Sequence, residues 1–180
     1  SNPSSSRSSD SKTKKPKQEI KLLWSGIDSK APDATYIQPQ TNWKTISSNI
    51  PLKGSFSVRI KIANLAEQGY ILVGLSKDQI NNNEIYFNNN QLNTWGVASN
   101  GWVIENGKWK EMQDAKYKKN DVITIKRTRS KKIKFQIGTE GALENKKISY
   151  LYDQLKEEAL FLTVSLINQN DSVQILKAEV

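Results

Sequence analysis

A chain of 180 residues with 36% hydrophobic content can bury one sizeable core, and its length does not demand two. It has neither cysteine nor histidine, which removes disulfides, the usual zinc ligands and the usual proton shuttle near neutral pH. A net charge of +9 permits attraction to nucleic acid, an anionic surface or an acidic protein segment without choosing among them.

Residues 1–21, SNPSSSRSSDSKTKKPKQEIK, hold a single isoleucine among Ser, Lys, Asn and Pro, too little apolar surface to offset the entropy of ordering. They are expected to form a flexible basic tail or linker ahead of one domain over 22–180. No apolar run is long enough to cross a bilayer, and the polar N-terminus lacks the apolar segment of a signal peptide, so an intracellular protein is expected. Asn170 opens an Asn-x-Ser sequon, of little weight in an Asn-rich chain.

From residue 22 onward the apolar pattern has period two. ATYIQ and WKTIS open the series of expected strands. In GSFSVRIKIA, Phe56, Val58, Ile60 and Ile62 alternate with Ser57, Arg59 and Lys61, as in a half-buried strand. GYILVGLS, 69–76, is continuously apolar and reads as a strand covered on both faces. The run NNNEIYFNNN, 81–90, is either a short edge strand or a loop displaying Ile85, Tyr86 and Phe87.

NTWGVASNGWVIENGKW then places Trp95, Trp102 and Trp109 seven residues apart. The intervening Asn and Gly exclude a coiled coil, and Asn-Gly at 100–101 and 106–107 supplies the positive φ of hairpin turns, so each tryptophan is expected on its own strand of a meander. DVITIKR, KIKFQI, KISYLY, LFLTVSLI and SVQIL complete the strands, and YDQLKEEA, 152–159, has the composition of a short helix. Many short strands with at most one or two short helices predict an all-β antiparallel sandwich or barrel.

Several of these segments, in this order, resemble the SPRY domain family (B30.2 when an N-terminal region is added). LKGSFSVRIKIANLAEQGYILVGLS is similar to its stretch of an alternating strand followed by one ending in Val-Gly, and GWVIENGKWKEM to its Trp or Tyr hairpin. KKNDVITIKRTRSKKIKFQIGTEG is similar to its Gly-Asp-Val-Ile hairpin, and FLTVSLINQNDSVQIL to its final strand pair. Asn120 stands where the family usually has Gly, Thr124 follows Ile123 in place of Gly, and Gly138–Gly141 replaces a closing Asn-Gly. The resemblance implies a bent sandwich of two antiparallel sheets, laid out like the concanavalin-type lectins, whose edge loops bind a peptide of a partner protein.

Trp24, Trp43 and Trp102 are expected in the core. Tyr36, Tyr86, Trp95, Trp109 and Tyr150, beside polar turns, are the candidate anchors for a partner peptide, with Trp95 and Trp109 equally readable as core. KYKKNDVITIKRTRSKKIK, 116–134, carries nine Lys and Arg against one Asp, and its alternation puts Lys126, Lys132 and Lys134 on one outer face. That basic hairpin is either a solvated edge or electrostatic support for an acidic peptide or a nucleic-acid backbone. RNA recognition would add aromatics for stacking, and only Tyr117 is at hand.

Catalysis is not expected. Glu105, Glu111 and Asp114 are irregularly spaced for a glycosidase pair, no triad forms without histidine, and no phosphate-binding glycine motif occurs. No cofactor, metal or bound calcium is expected either. The sequence thus reads as a monomeric, non-catalytic adaptor that docks a short, in part acidic segment of an intracellular protein, with electrostatic RNA or anionic-surface binding through 116–134 as the alternative.

Overall fold

The computed structural model describes residues 15–26, 34–81, 93–111, 116–139, 147–152 and 155–180. These form strands and no helix: β1 (Glu19–Ile20), β2 (Thr35–Ile37), β3 (Lys44–Ser47), β4 (Leu52–Lys53), β5 (Phe56–Asn64), β6 (Ile71–Ser76), β7 (Thr94–Ala98), β8 (Trp102–Glu105), β9 (Lys108–Glu111), β10 (Asp121–Arg127), β11 (Ile133–Thr139), β12 (Lys147–Tyr152), β13 (Ala159–Leu166) and β14 (Ser172–Glu179). One sheet runs β1-β14-β5-β10-β11-β12, with β2 beside β14. The other runs β3-β13-β6-β7-β8-β9, with β4 beside β13, and every pairing is antiparallel.

The alternation that suggests the sandwich also builds its interior. Phe56, Val58, Ile60 and Ile62 of β5 are fully buried, and the pairs Ile123 with Ile137 and Ile125 with Phe135 put β10 and β11 in the same layer. Val73, Leu75, Trp95, Val97, Val103, Leu162 and Val164 face them from the second sheet in one contiguous cluster. GYILVGLS is covered on both faces, in keeping with its apolar run: all six residues of β6 are buried.

The outer face of the second sheet is small and polar where β3, β13 and β6 meet. Thr45 and Ser165 share a 2.5 Å hydrogen bond, and the Thr163 hydroxyl lies 2.8 Å from Ser47 and 2.6 Å from Ser76, so these buried groups satisfy one another.

Of the tail expected over residues 1–21, the described part begins at residue 15, and within it Glu19 and Ile20 pair with Glu179 and Ala178. Backbone pairing, indifferent to side-chain polarity, holds this stretch to the last strand. The helix expected over 152–159 is absent from its described residues, 152 and 155–159: β12 continues through Tyr152, and Ala159 already opens β13. The carbonyls of Leu155 and Glu157 accept hydrogen bonds from the Arg127 guanidinium, and the Leu155 amide donates to Lys131 O at 3.1 Å, tying the segment to the β10–β11 hairpin.

Candidate functional site

The three evenly spaced tryptophans do lie on three consecutive strands: Trp95 on β7, Trp102 on β8 and Trp109 on β9. Asn106 (φ 51°) and Gly107 (φ 77°) make the two-residue turn that joins Glu105 to its cross-strand partner Lys108. The earlier Asn-Gly instead ends a three-residue loop, Ser99–Gly101, with Gly101 at φ 94°. Loop length decides which face each ring takes. Trp95 stands across from Leu75 in the inner layer, whereas Trp109 stands across from Ile104 and shares the outer face with Trp102.

Trp102 is therefore a correction. Its alternation with Ile104 is real, but the face the two share is the outer one, and Trp102 is 37% exposed. Beneath it Leu72, Ala98 and Ile104 form a small second cluster, against which Tyr70 and Trp109 pack. The rings continue as a row. Trp102 meets Trp109 edge-on with centroids 6.0 Å apart, Trp109 lies 6.2 Å from Tyr70, and Tyr70 lies 5.4 Å from Trp43, again edge-on. Trp43, expected in the core, is half-buried in this row; Trp24 is the one of the three placed there as expected, its indole Nε1 donating to Ala34 O at 3.0 Å.

Tyr70, Trp102, Trp109 and Asn100 line a cleft of about 320 Å³. Tyr70 and Asn100 also line an adjoining groove of about 610 Å³, which continues over Gly69 and Ser99 to Lys118 and Lys119. Three loops at one end of the sandwich thus meet: β5–β6, β7–β8 and the approach to β10. Asp171 anchors the first by accepting the Ala66 amide on Oδ1 at 2.8 Å, while its Oδ2 is buried without a partner among the described residues.

Burial raises the Asp171 pKa above the ordinary carboxyl value, with the hydrogen bonds from Ala66 and Asn168 opposing it. A raised folded-state pKa means that the stability this group contributes is present below its unfolded pKa and is lost as pH rises through the folded one. Thermal melts across the acidic range should show that contribution in the native chain and not in Asp171→Asn; identical profiles would contradict the assignment.

Tyr117 forms the floor between cleft and interior. It is buried, and its hydroxyl lies 2.8 Å from both Ile71 O and Val97 O, bracing the end of β6 against β7. Burial pushes this phenol well above its ordinary pKa, Tyr70 adding to the effect. A buried ring cannot stack a base, so Tyr117 is withdrawn from an RNA surface. Tyr117→Phe is expected to cost about 1 kcal/mol in urea denaturation, because a buried hydroxyl hydrogen bond is lost while Ile71 O keeps the Ser99 amide at 2.9 Å.

The candidate anchors divide. Tyr36 and Trp95 are buried, at 4% and 5% exposure, and leave the list of surface aromatics. Tyr36 lies on β2 paired to Val173, and its hydroxyl donates to Gln38 Oε1 at 2.5 Å; desolvation raises its pKa to about 12. Tyr150 sits within β12 opposite Phe135 and not in a loop. Tyr86 lies outside the described residues. Trp109 is the described candidate that lines the cleft.

Lys126 and Lys134 are direct cross-strand partners on the outer face of the first sheet, with exposed Lys132 next to the hairpin turn. That face is the opposite side of the sandwich from the aromatic row, so the structure does not bring these lysines to the cleft. The cations beside it are Lys118 and Lys119. Tyr70 is not among the five candidate anchors, although its place at the start of a strand after Glu-Gln-Gly is a signal in the sequence, and Lys118 and Lys119 belong to the basic stretch 116–134 without being among its three candidate lysines.

Among the described residues no group of three or more His, Cys, Asp or Glu could hold a metal ion, and no helix is long and apolar enough to cross a membrane. No family model and no curated protein matches the chain. Solved structures do. The SPRY domain of human HERC1 superposes with a TM-score of 0.60 at 16% identity, covering 79% of this chain and 87% of that one. A legume lectin-like domain from Entamoeba histolytica gives 0.53 at 14% identity, with 87% of each chain covered. The Emp46p carbohydrate recognition domain gives 0.55 at 8% identity, over 88% of this chain and 86% of that one. Such identities speak to the fold, and the fold is that of a SPRY-like sandwich: two bent antiparallel sheets on the frame shared with lectin-type domains.

Proposed function

We propose that this chain is a non-catalytic binding module that takes a short peptide segment of an intracellular partner across the loops at one end of the sandwich. The observation that carries the reading is the exposed Trp102 ring, held on a strand and backed by Trp109 and Tyr70 over a buried apolar cluster. A strand-mounted aromatic row is preorganised, so little side-chain entropy is lost when a ligand covers it. An apolar, aromatic or proline side chain fits the cleft, and an acidic residue further along the segment meets Lys118 and Lys119. The likeness to the HERC1 SPRY domain supports this reading, and the buried Tyr117 counts against the nucleic-acid alternative.

Selection of a displayed peptide library on the domain, with a Trp102→Ala domain as counter-selection, tests it. Enrichment of sequences with one bulky apolar residue followed by an acidic one, retained at high salt, is the expected result. Peptides that bind both forms equally would remove the cleft from the reading. Retention of nucleic acid alone, lost as salt rises, would transfer the function to the basic hairpin.

A further inference from the structure

A second site lies where the turn of the β10–β11 hairpin meets the turn before β5. Arg127 closes β10 on the inner face, paired with Ile133 on one side and Phe56 on the other, and is only 3% exposed. Its Nη2 donates to Leu155 O at 2.6 Å and also to Glu157 O, but Nε and Nη1 are buried with no partner among the described residues. Orphaned guanidinium nitrogens are rare, since each forfeits water without gaining an acceptor. Glu158 and Glu157 act on Arg127 through space only, and burial, the larger effect, still lowers its pKa.

Arg127 lines a pocket of about 190 Å³ with Gly54, Ser55, Thr128, Arg129, Lys131 and Glu158. Because the rim residues Gly54, Thr128 and Arg129 are exposed and Arg127 is not, the guanidinium belongs to the floor. The volume is several times the roughly 30 Å³ share of one liquid water. The turn is preformed: Thr128 N donates to Lys132 O at 2.9 Å, Lys131 N to Thr128 O at 3.0 Å, and Lys131 holds φ 63°. The acid at the rim, Glu158, is 2.9 Å from Lys131 Nζ, and its side chain is 88% exposed. An exposed pair of that kind is weak and readily exchanged.

We propose that this pocket is a binding site for a phosphoryl-type oxyanion, held by Arg129 and Lys131 at the rim over the Arg127 guanidinium, with the Thr128 and Ser55 hydroxyls as further donors. Three cationic side chains line one cavity, which suits a dianion with several acceptor oxygens better than a planar monocarboxylate. The incoming anion displaces Glu158 from Lys131. The site is on the hairpin end of the first sheet and is independent of the aromatic cleft, so either can fail alone.

Calorimetric titration with inorganic phosphate, at an ionic strength fixed with chloride, tests the proposal on the whole chain. Saturable phosphate binding is expected, weakened about a hundredfold or more by Arg129→Ala with Lys131→Ala, since the double variant removes two charge-assisted contacts. Both residues lie in the turn, so the double variant should keep its melting transition. Glu158→Gln should tighten binding, because the competing acid is gone. O-phosphoserine as a second probe separates a free ion from a phosphoryl group carried on another molecule: equal or tighter binding indicates the carried group, phosphate alone the free ion. Phosphate heats no larger than those of chloride, or a double variant that binds as the native chain does, would overturn the site.

Discussion

Gly74→Ala is expected to cost about 3 kcal/mol or more, a large part of the stability of a domain this size. Gly74 and Gly96 stand opposite one another across β6 and β7. A Cβ built on Gly74 would lie 2.0 Å from Trp95 O and 2.7 Å from the Gly96 Cα. Both are backbone atoms, so no rotamer change relieves the overlap; the strands themselves would have to separate, with Tyr117 bridging them and the aromatic row packed above. Gly96→Ala meets Val73 O at 2.6 Å and should behave alike. Gly54→Ala is the control. Its φ of 65° strains an alanine, yet nothing lies within 4 Å of the added carbon, and a loss near 1 kcal/mol is expected. Urea denaturation followed by tryptophan fluorescence compares the three, and equal midpoints for Gly74→Ala and Gly54→Ala would show that the strands accommodate the extra carbon.

The second large effect separates binding from folding. Trp102→Ala should weaken a peptide selected on the native domain by about 30-fold or more, the scale of an aromatic hot spot worth about 2 kcal/mol, while moving the melting temperature little. Trp109→Ala should lose both, because Trp109 also packs on the Leu72, Ala98 and Ile104 cluster. Fluorescence anisotropy of a labelled peptide gives the first quantity and calorimetry the second. Native affinity in Trp102→Ala would move the site off the outer face of the second sheet.

The period-two runs make the fold legible. Phe56 to Ile62 and Ile133 to Ile137 alternate cleanly because one face of the first sheet packs inward and the other meets solvent. The misleading places are those where that asymmetry fails. On the second sheet the outer face is partly covered, so an apolar residue there carries no mark of which side it serves; Trp102 and Ile104 read as the wrong layer for that reason, and Trp95 and Trp109 read equally as core or surface although one faces in and the other out. YDQLKEEA has helical composition, but a tertiary contact from Arg127, 28 residues before Leu155, holds its carbonyls elsewhere. The cleft is half legible. Asn-Gly at 106–107 sets Trp109 on the outer face, whereas Tyr70 and Lys118 come from separate loops whose meeting only the sheet order determines.

The pairing of β1 with the end of β14 bears on how the sandwich responds to pulling. Gln18 and Val180 exchange backbone hydrogen bonds of 2.8 and 2.9 Å, so the chain enters and leaves the sandwich at one corner, about a strand spacing apart. Tension between those two points would load the rungs of this short ladder one after another, as a zipper opens, instead of shearing them together. The corner should therefore release at low force, and the β5–β14 pairing, with the rest of the sandwich behind it, would carry the remaining load.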